Sequence, residues 1–349
     1  MTLTAFLSHL LFAICLLGVS LILTHLMLHR VRIMDVPNER SSHHMPIPKS
    51  GGVAIVATFL IGAIVIFFVA DKTLIRRDYI LGFVISALLI AGISFYDDVK
   101  NKPFIVKLIT QLFAVFLVLA FGLVIDQISL PFLGSVTLGV WAYPISFLWI
   151  IGMTNAFNFM DGLDGLVGGI AVIVSAFFCA ITFSQGSIFV YITCYALLAG
   201  SLSFLIYNFP PARIFMGDVG SAFLGFVFAV LAIIAARYDH SHTSFMVMPL
   251  LLFNVIYDTF FTFIRRSLRG DRVLDAHRTH LYQLFNRLGY SHRTVSLFHY
   301  CVCIIQGLAA VWMVNIPGSG RVFVFVPFLI LQILYSFVII NSAKKSGIL

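Results

Sequence analysis

Apolar runs of about 20 residues recur along this chain, and they constrain its fold more than any other feature. Such a run can cross a bilayer as one helix, because a helix rises about 1.5 Å per residue and the hydrocarbon core is about 30 Å thick. Of the 349 residues, 60% are apolar and only 10% are charged, whereas soluble domains have about 25% charged residues. The short alternating segments of a β-barrel are not visible in the sequence. The sequence therefore predicts an all-α polytopic membrane protein.

Eleven runs are predicted to span the membrane as a single integral membrane domain over residues 1–349. No basic segment precedes the first run and no small-residue cleavage motif follows it, so we expect it to be retained as a helix. The five cysteines all lie inside apolar runs, which is typical of core residues rather than disulfides or zinc ligands. The predicted spans are 3–28, 50–70, 79–96, 103–125, 138–156, 164–184, 187–207, 219–237, 244–264, 297–315 and 321–341.

The distribution of basic residues predicts the orientation. If the N-terminus is periplasmic and the C-terminus cytoplasmic, 17 of the 22 Lys and Arg lie on cytoplasmic segments, as the positive-inside rule requires. The loop 71–78, with three basic residues, runs against this assignment. The same rule explains the net charge of +8 without a nucleic-acid partner, and none is expected. The predicted location is a lipid bilayer, which the chain crosses repeatedly.

Most acidic residues fall on the same side, which the positive-inside rule does not explain because it concerns Lys and Arg. A cation site or phosphate chemistry at the cytoplasmic face would explain it. Five polar segments at this face are the predicted active-site loops: 29–52, 97–103, 155–165, 208–221 and 265–296. The acidic residues in question are Asp35, Glu39, Asp97, Asp98, Asp161, Asp164, Asp218, Asp271 and Asp275.

The stretch Asn155-Ala-Phe-Asn-Phe-Met-Asp-Gly-Leu-Asp-Gly-Leu166 carries two amides and two carboxylates between two apolar runs. Asp161 alone is explained as the N-cap of the next helix. Capping does not explain the whole set, which is Asn155, Asn158, Asp161 and Asp164. Such a cluster suits recognition of a nucleobase or ribose edge, because buried polar groups must be paired.

Two further segments suit phosphate chemistry. Lys49 with the following Ser-Gly-Gly places a cation beside exposed backbone N–H groups at a helix start, although an ordinary juxtamembrane loop would look similar. Asp97 and Asp98 end the third span and suit either Mg²⁺ or a general base. A solvated helix end balanced by Lys100 and Lys102 is the plainer alternative.

The segment from Asn208 to Ser221 reads Asn-Phe-Pro-Pro-Ala-Arg-Ile-Phe-Met-Gly-Asp-Val-Gly-Ser. Gly217 permits close backbone approach, and Asp218 stands at the start of the eighth span. Asp218 is either an N-cap or a Mg²⁺ ligand beside a backbone phosphate cradle.

The arginine-rich loop 265–296 suggests a clamp for polyphosphate or anionic headgroups, and snorkelling positive-inside charge explains some of its arginines. His277 and His280 lack a third zinc ligand nearby in the sequence. Leu281, Leu284, Phe285 and Leu288 are spaced as in an interfacial amphipathic helix. In the ninth span, Asn254 and Asp258 lie one helical turn apart, and Asp258 is either functional or paired with Arg265 or another helix.

Together and in this order, these motifs resemble the polyprenyl-phosphate N-acetylhexosamine-1-phosphate transferases (glycosyltransferase family 4). The motifs are Asp-Val-Pro-Asn-Glu-Arg-Ser-Ser with Lys-Ser-Gly-Gly, Asp-Asp-x-Lys, Asn-Phe-Met-Asp-Gly-Leu-Asp-Gly, Phe-Met-Gly-Asp-x-Gly-Ser and His-Arg-x-His, over residues 30–295. The last replaces the His triplet of the peptidoglycan enzymes, so the chain looks closer to the WecA-like, O-antigen-initiating subgroup.

The resemblance implies transfer of a sugar-1-phosphate from a UDP-N-acetylhexosamine to undecaprenyl phosphate, with release of UMP. It implies Mg²⁺, with Mn²⁺ as a substitute, and a homodimer only as a family-level expectation. Asp218 would be the principal metal ligand, and Asp97 and Asp98 would handle or activate the lipid phosphate. The implied substrate-binding residues are Lys49, Lys100, Asn158, Asp161, Asp164, Asn208, Phe215, Gly217, His277, Arg278 and His280. A transporter or carrier of a phosphorylated lipid or sugar is the competing interpretation, although its charges should lie near the bilayer midplane.

Overall fold

The computed structural model describes residues 3–31, 33–37, 45–68, 75–100, 104–130, 133–272 and 277–349, and within these ranges the chain is almost entirely helical. Predicted loop residues Glu39 and Asp275 lie outside the described residues. The α-helices are α1 Leu3–His29, α2 Gly52–Phe68, α3 Arg77–Lys100, α4 Phe104–Ala120, α5 Ala142–Met160, α6 Leu166–Ser184, α7 Phe189–Asn208, α8 Asp218–Ile233, α9 Val247–Leu251, α10 Phe253–Leu268, α11 Leu281–Arg287, α12 His292–Met313 and α13 Phe325–Lys345.

Eight helical segments of the described chain are long and apolar enough to cross a membrane. They correspond to predicted spans 1, 3, 5, 6, 7, 8, 10 and 11. The helices α2 and α4 are also apolar but have only 17 residues each. The prediction of a helical multi-pass membrane protein is confirmed at this level.

The ninth predicted span, 244–264, contains two helices rather than one. Leu252 separates α9 from α10 with φ −107° and ψ 15°. The reason lies in the polar face of α10, where Asn254, Asp258, Thr262 and Arg266 recur every fourth residue and are all buried. Buried polar side chains need hydrogen-bonding partners, so this face of α10 packs against protein rather than lipid.

Two short antiparallel ribbons depart from the all-α prediction. Strands β1 (Met34–Asp35) and β2 (Ile47–Pro48) pair on one loop, and β3 (Gln127–Leu130) pairs with β4 (Gly134–Thr137) on another. Prolines 46 and 48 fix φ near the extended region and cannot continue a helix, which explains the strand at 47–48. Strands of two to four residues are too short for an alternating pattern to be recognised.

Helix α8 is the centre of the bundle. Every residue from Val219 to Ile233 is buried, and α8 packs against α5, α3 and α2. An apolar helix covered on all sides is typical of the core of a large bundle. Asp218, its first residue, is therefore held where α3 and α5 end and α2 begins.

Candidate active site at the start of helix α8

The first turn of α8 is held by the end of α3. Asp98 accepts the N–H of Asp218 through Oδ1 at 3.2 Å and the N–H of Val219 through Oδ2 at 3.0 Å. The first N–H groups of a helix have no partner inside the helix, and its dipole favours a negative charge there. Asp98 is only 7% exposed, so its carboxylate fixes the position of Asp218.

The side chain of Asp218 faces residues from two other helices. Its Oδ1 accepts a hydrogen bond from Nδ2 of Asn158 at 2.8 Å, and its Oδ2 forms an ion pair with Nζ of Lys107. The N-cap position belongs to Gly217. The capping alternative for Asp218 is therefore not what the structure shows, because the carboxylate is directed into a polar cluster.

Lys107 is a site residue that the sequence analysis missed. It lies near the start of α4, is 7% exposed, and its Nζ lies 3.9 Å from Oδ2 of Asp97 as well as against Asp218. The signal was available, since a lysine inside an apolar span is a functional candidate by default. Lys107 joins the acids of α3 and α8 into one cluster.

Gly217 is required by close packing. Its φ is +71°, and a Cβ there would lie 2.6 Å from the carbonyl oxygen of Lys49 and 2.7 Å from Oδ2 of Asp98. The Nζ of Lys49 lies 4.0 Å from Oδ1 of Asp98. Any larger residue at 217 would push apart the three segments that meet at this point.

The Lys-Ser-Gly-Gly and Phe-Met-Gly-Asp segments are joined by backbone hydrogen bonds. The N–H of Phe215 donates to the carbonyl of Pro48 at 2.7 Å, and the N–H groups of Gly51 and Gly52 donate to Phe215 and Met216 at 3.0 and 2.9 Å. These bonds explain why two motifs more than 160 positions apart in the chain occur in one site.

Asp161 ends α5 and lies half-buried beside the cluster. Burial, together with the negative charges of Asp218, Asp98 and Asp164, raises the pKa of Asp161 to about 8. The N-cap of α6 is Gly165, so the alternative that Asp161 caps α6 is wrong. A carboxyl group that burial and neighbouring acids hold in its protonated form marks a place where a cation would be stabilised.

Asp164 and Asn208 hold the surrounding loops. Asp164 accepts the N–H of Ala212 at 3.1 Å and lies 3.3 Å from Nδ1 of His292. The buried amide of Asn208 accepts the N–H of Gly165 and donates to the carbonyl of Ile214, both at 2.8 Å. These contacts tie the central stretch to the segment that precedes α8.

The histidine segment rests against the end of α5. Nδ1 of His280 lies 3.1 Å from Oδ1 of the buried Asp258, and the His277 ring stacks on His280 with centroids 5.0 Å apart. Burial and nearby positive groups lower the pKa of His277 to about 4. The hydroxyl of Tyr282 donates to the carbonyl of Phe159 at 2.8 Å, so this segment lies next to Asp161.

Two predicted residues are placed less directly. Lys100 is exposed at the last position of α3, and among the described residues no ion pair joins it to the cluster. Arg278 is partly buried, and its carbonyl accepts a hydrogen bond from Arg287. The Leu281 and Leu284 side chains are buried against Ile339 and Ala343 of α13, so the predicted amphipathic helix faces protein on this side.

The donor set suits a hard divalent cation that shares its coordination with a ligand. Within the described residues no three His, Cys, Asp or Glu side chains are grouped closely enough to hold a metal by themselves. Mg²⁺ normally takes one or two carboxylates, with water and phosphate oxygens completing its shell. The ammonium of Lys107 against Asp218 shows that this carboxylate accepts a positive charge.

Fold and site together define a helical membrane protein with a cluster of carboxylates and lysines at one end of its bundle. The model of the glycosyl transferase family 4 matches residues 80–236. A Bacillus subtilis protein named "Probable undecaprenyl-phosphate N-acetylglucosaminyl 1-phosphate transferase" is 32% identical over 284 residues, which cover 81% of this chain and 77% of that protein.

Two other relatives are similar to this chain, one at lower identity and one over a shorter alignment. The decaprenyl-phosphate N-acetylglucosaminephosphotransferase of Mycobacterium leprae is 29% identical over 84% of this chain and 80% of its own length. The phospho-N-acetylmuramoyl-pentapeptide-transferase of Listeria monocytogenes is 32% identical over 54% of this chain and 60% of its own length. The chain belongs to glycosyl transferase family 4.

Proposed function

We propose that this protein transfers an N-acetylhexosamine-1-phosphate from a UDP-sugar to undecaprenyl phosphate and releases UMP. This would be the first membrane step of O-antigen or another cell-envelope polysaccharide. The observation that carries the proposal is the convergence of three helices on Asp218 of α8, through Asp98 of α3, Lys107 of α4 and Asn158 of α5. Family membership and the activities in the relatives' names support it.

In this reaction a phosphate oxygen of undecaprenyl phosphate attacks the phosphorus that carries the sugar. The bond from that phosphorus to the bridging oxygen breaks, and the bridging oxygen leaves with UMP. Little covalent chemistry is required of the protein, because phosphoryl transfer depends mainly on positioning and charge stabilisation. The cluster at the start of α8 can supply both.

The two acids of α3 then take different roles. Asp97 is the more exposed, with 20% of its side-chain surface accessible against 6% for Asp98. We assign contact with the acceptor phosphate to Asp97, including removal of its proton when that phosphate is monoprotonated. Asp98 positions α8 through its two backbone hydrogen bonds. Lys107 stabilises negative charge that moves between acceptor and donor.

Asp218 would hold Mg²⁺, or Mn²⁺ in its place, with water and donor phosphate oxygens as the other ligands. When bound, the ion neutralises charge on the diphosphate and makes UMP a better leaving group. Asn158 and Lys107 hold the Asp218 carboxylate in place from two sides.

The donor pocket would be formed by the central stretch and the loops around it. Asp161, Asn208 and Phe215 would line the uridine site, with Lys49 and Lys100 near the phosphates. The remaining contacts come from the histidine segment, namely His277, Arg278 and His280. The relatives' names favour GlcNAc as the sugar, and 6-deoxy sugars such as FucNAc or QuiNAc are the alternatives to test.

We further propose eleven membrane crossings in the bacterial inner membrane, with a periplasmic N-terminus and the site on the cytoplasmic face. This layout is supported by the basic residues that surround the acid cluster in sequence. A homodimer remains a proposal from family resemblance.

The test is to incubate the purified protein with undecaprenyl phosphate, Mg²⁺ and a panel of UDP-N-acetylhexosamines. We expect UMP release with at least one donor, and none when EDTA is added. A transporter is the second candidate class. Movement of a labelled lipid phosphate or sugar phosphate across a sealed vesicle, without UMP from any donor, would support transport and contradict the proposed function.

A further inference from the structure

The buried carboxylate of Asp258 makes a set of contacts that the proposed reaction does not use. It lies in α10, is 1% exposed, and accepts hydrogen bonds from the N–H of Leu281 at 2.9 Å and the N–H of Tyr282 at 3.0 Å. Nδ1 of His280 lies 3.1 Å from the same carboxylate, and the hydroxyl of Thr262 donates at 3.2 Å. Four donors from two parts of the chain therefore converge on one acid.

Two of these donors are the first N–H groups of α11, which have no partner inside that helix. A buried carboxylate costs several kcal/mol of desolvation unless hydrogen bonds and positive charge offset that cost. The hydrogen bonds that offset this cost for Asp258 exist only while α11 begins at Leu281 and lies against α10. The carboxylate thus specifies both the start and the place of this short helix.

A second anchor lies next to the first along the chain. The fully buried Tyr282 donates its hydroxyl to the carbonyl of Phe159 at 2.8 Å, at the end of α5. Gly162 leaves room for that hydroxyl, because a Cβ at this position would collide with it. Helix α11 is therefore held between α10 and the residues that flank Asp161.

The contact with Asp258 also determines the tautomer of His280. A carboxylate accepts hydrogen bonds, so the proton must be on Nδ1. His280 is 4% exposed, and its ring is the surface on which the half-buried His277 ring stacks. The position of His277 relative to Asp161 therefore depends on a carboxylate that touches neither residue.

We propose that Asp258 is a positioning residue: it anchors α11 and the His280 imidazole so that the segment 277–280 is placed to contact the diphosphate of the sugar-nucleotide donor. This inference rests on the proposed function. It assigns Asp258 an effect on the donor and none on the lipid acceptor. A purely structural role would affect stability and both substrates alike.

The test compares Asp258→Asn with Asp258→Glu and with the control Thr262→Val. Asn is nearly isosteric but cannot accept all four bonds, so the donor KM should rise about tenfold or more, equivalent to about 1.4 kcal/mol. The KM for undecaprenyl phosphate should stay within about twofold. Glu retains the charge and should restore part of the donor KM. Thr262→Val removes one donor to Asp258 but leaves the bonds to α11 intact, so it should change the donor KM much less than Asp258→Asn.

Hydrogen–deuterium exchange supplies a readout that needs no turnover. Amides of residues 281–287 should exchange faster in Asp258→Asn than in wild type, while those of α8 should not change. Equal changes in both KM values, or unchanged exchange at 281–287, would overturn the inference. If wild type itself releases no UMP, the proposed function fails, and the exchange result alone decides whether Asp258 anchors α11.

Discussion

The two ends of helix α8 present acids in opposite ways. At the far end, the 1% exposed carboxylate of Asp239 is satisfied by the hydroxyl of Ser187 at 3.1 Å and the N–H of Ser241 at 2.9 Å. Nearby, Asp126 pairs with Arg237 at 2.9 Å. At the near end, burial together with the negative charges of Asp218, Asp98 and Asp164 raises the pKa of Asp161 to about 8.

The difference separates structural acids from functional ones. An acid that holds a fold together is paired by neutral donors or by one opposite charge, as at the far end of α8. Acids that repel one another destabilise the fold and are retained where a cation or a reacting phosphate compensates. The near end of α8 is therefore the place to expect chemistry, and the comparison can be tested one residue at a time.

Asp218→Asn should have the largest effect. The amide keeps the shape but loses the negative charge that holds the cation, so transfer should fall by about 10³-fold or more. The variant should still fold, because the Asp98 bonds to the α8 backbone do not involve this side chain. UMP release at saturating Mg²⁺ is the measurement, and near-normal turnover would contradict the metal assignment.

Asp97→Asn and Asp98→Asn should each lower transfer by about 10²-fold or more, but for different reasons. Asp98→Asn loses a carboxylate that accepts two N–H groups of α8. Its free energy of unfolding should therefore fall by about 1–3 kcal/mol, and its melting temperature should be lower than that of wild type. Asp97→Asn should leave the melting temperature close to that of wild type. Transfer rate and thermal unfolding measured on the same samples distinguish the two variants. If both variants lose rate and stability to the same extent, Asp97 and Asp98 do not have the different roles assigned to them.

Lys107→Met should lower kcat by about 10²-fold, because the developing negative charge and the carboxylates of Asp97 and Asp218 lose their shared cation. The matched control is Lys344→Met, which removes an exposed lysine from the last turn of α13 and should leave kcat unchanged. Steady-state kinetics give kcat for both variants. A wild-type kcat for Lys107→Met would show that the ion pair between Lys107 and Asp218 is only structural.

Asp161→Asn should raise the donor KM about tenfold and change kcat less, since Asp161 is assigned to donor recognition. It should also change the pH dependence of stability. The folded pKa of about 8 exceeds the unfolded value of about 3.9, so the stabilisation from the bound proton is complete below about pH 4 and is lost as pH rises through about 8.

The wild-type melting temperature in EDTA should therefore fall more steeply between pH 5 and 9 than that of Asp161→Asn. Parallel melting curves would show that the pKa of Asp161 is not raised in the folded protein. A larger change in kcat than in donor KM would return Asp161 to the centre of the chemistry.

Asp239→Asn, at the far end of α8, should have the smallest effect on activity. It weakens a satisfied hydrogen-bond network and should cost about 1–3 kcal/mol of stability, while kcat per folded molecule stays at the wild-type value. A loss of kcat comparable with that of Asp161→Asn would show that the two ends of α8 do not differ as described.

The segments of the site could be found from the sequence. Acids, amides and glycines interrupt the apolar runs there, and a lipid-facing helix does not require such residues. Asp98, Asn158 and Asp218 were all predicted, and the structure brings them into one cluster. The sequence did not reveal which groups pair. The sequence analysis did not single out Lys107, whose contacts with Asp97 and Asp218 depend on how α4 packs.

The same limit applies to Asp258 and to the break at Leu252. The spacing of Asn254 and Asp258 marked a polar face but not its partner, and the partner is a seven-residue helix more than 20 positions away. A hydropathy pattern averages over such a break, since α9 and α10 together are long enough to resemble one span. Long-range pairing of polar groups is the part of this structure that local pattern cannot predict.

The fate of the sugar-bearing phosphorus tests the central claim most directly. The wild-type protein is incubated with undecaprenyl phosphate, Mg²⁺ and UDP-GlcNAc labelled with ³²P at that phosphorus, and the label is followed into lipid and water-soluble products. Sugar-1-phosphate transfer predicts labelled lipid diphosphate and unlabelled UMP, in equal amounts. Labelled UDP with an unlabelled glycolipid, or label that stays in the donor for every UDP-N-acetylhexosamine of the panel, would contradict it.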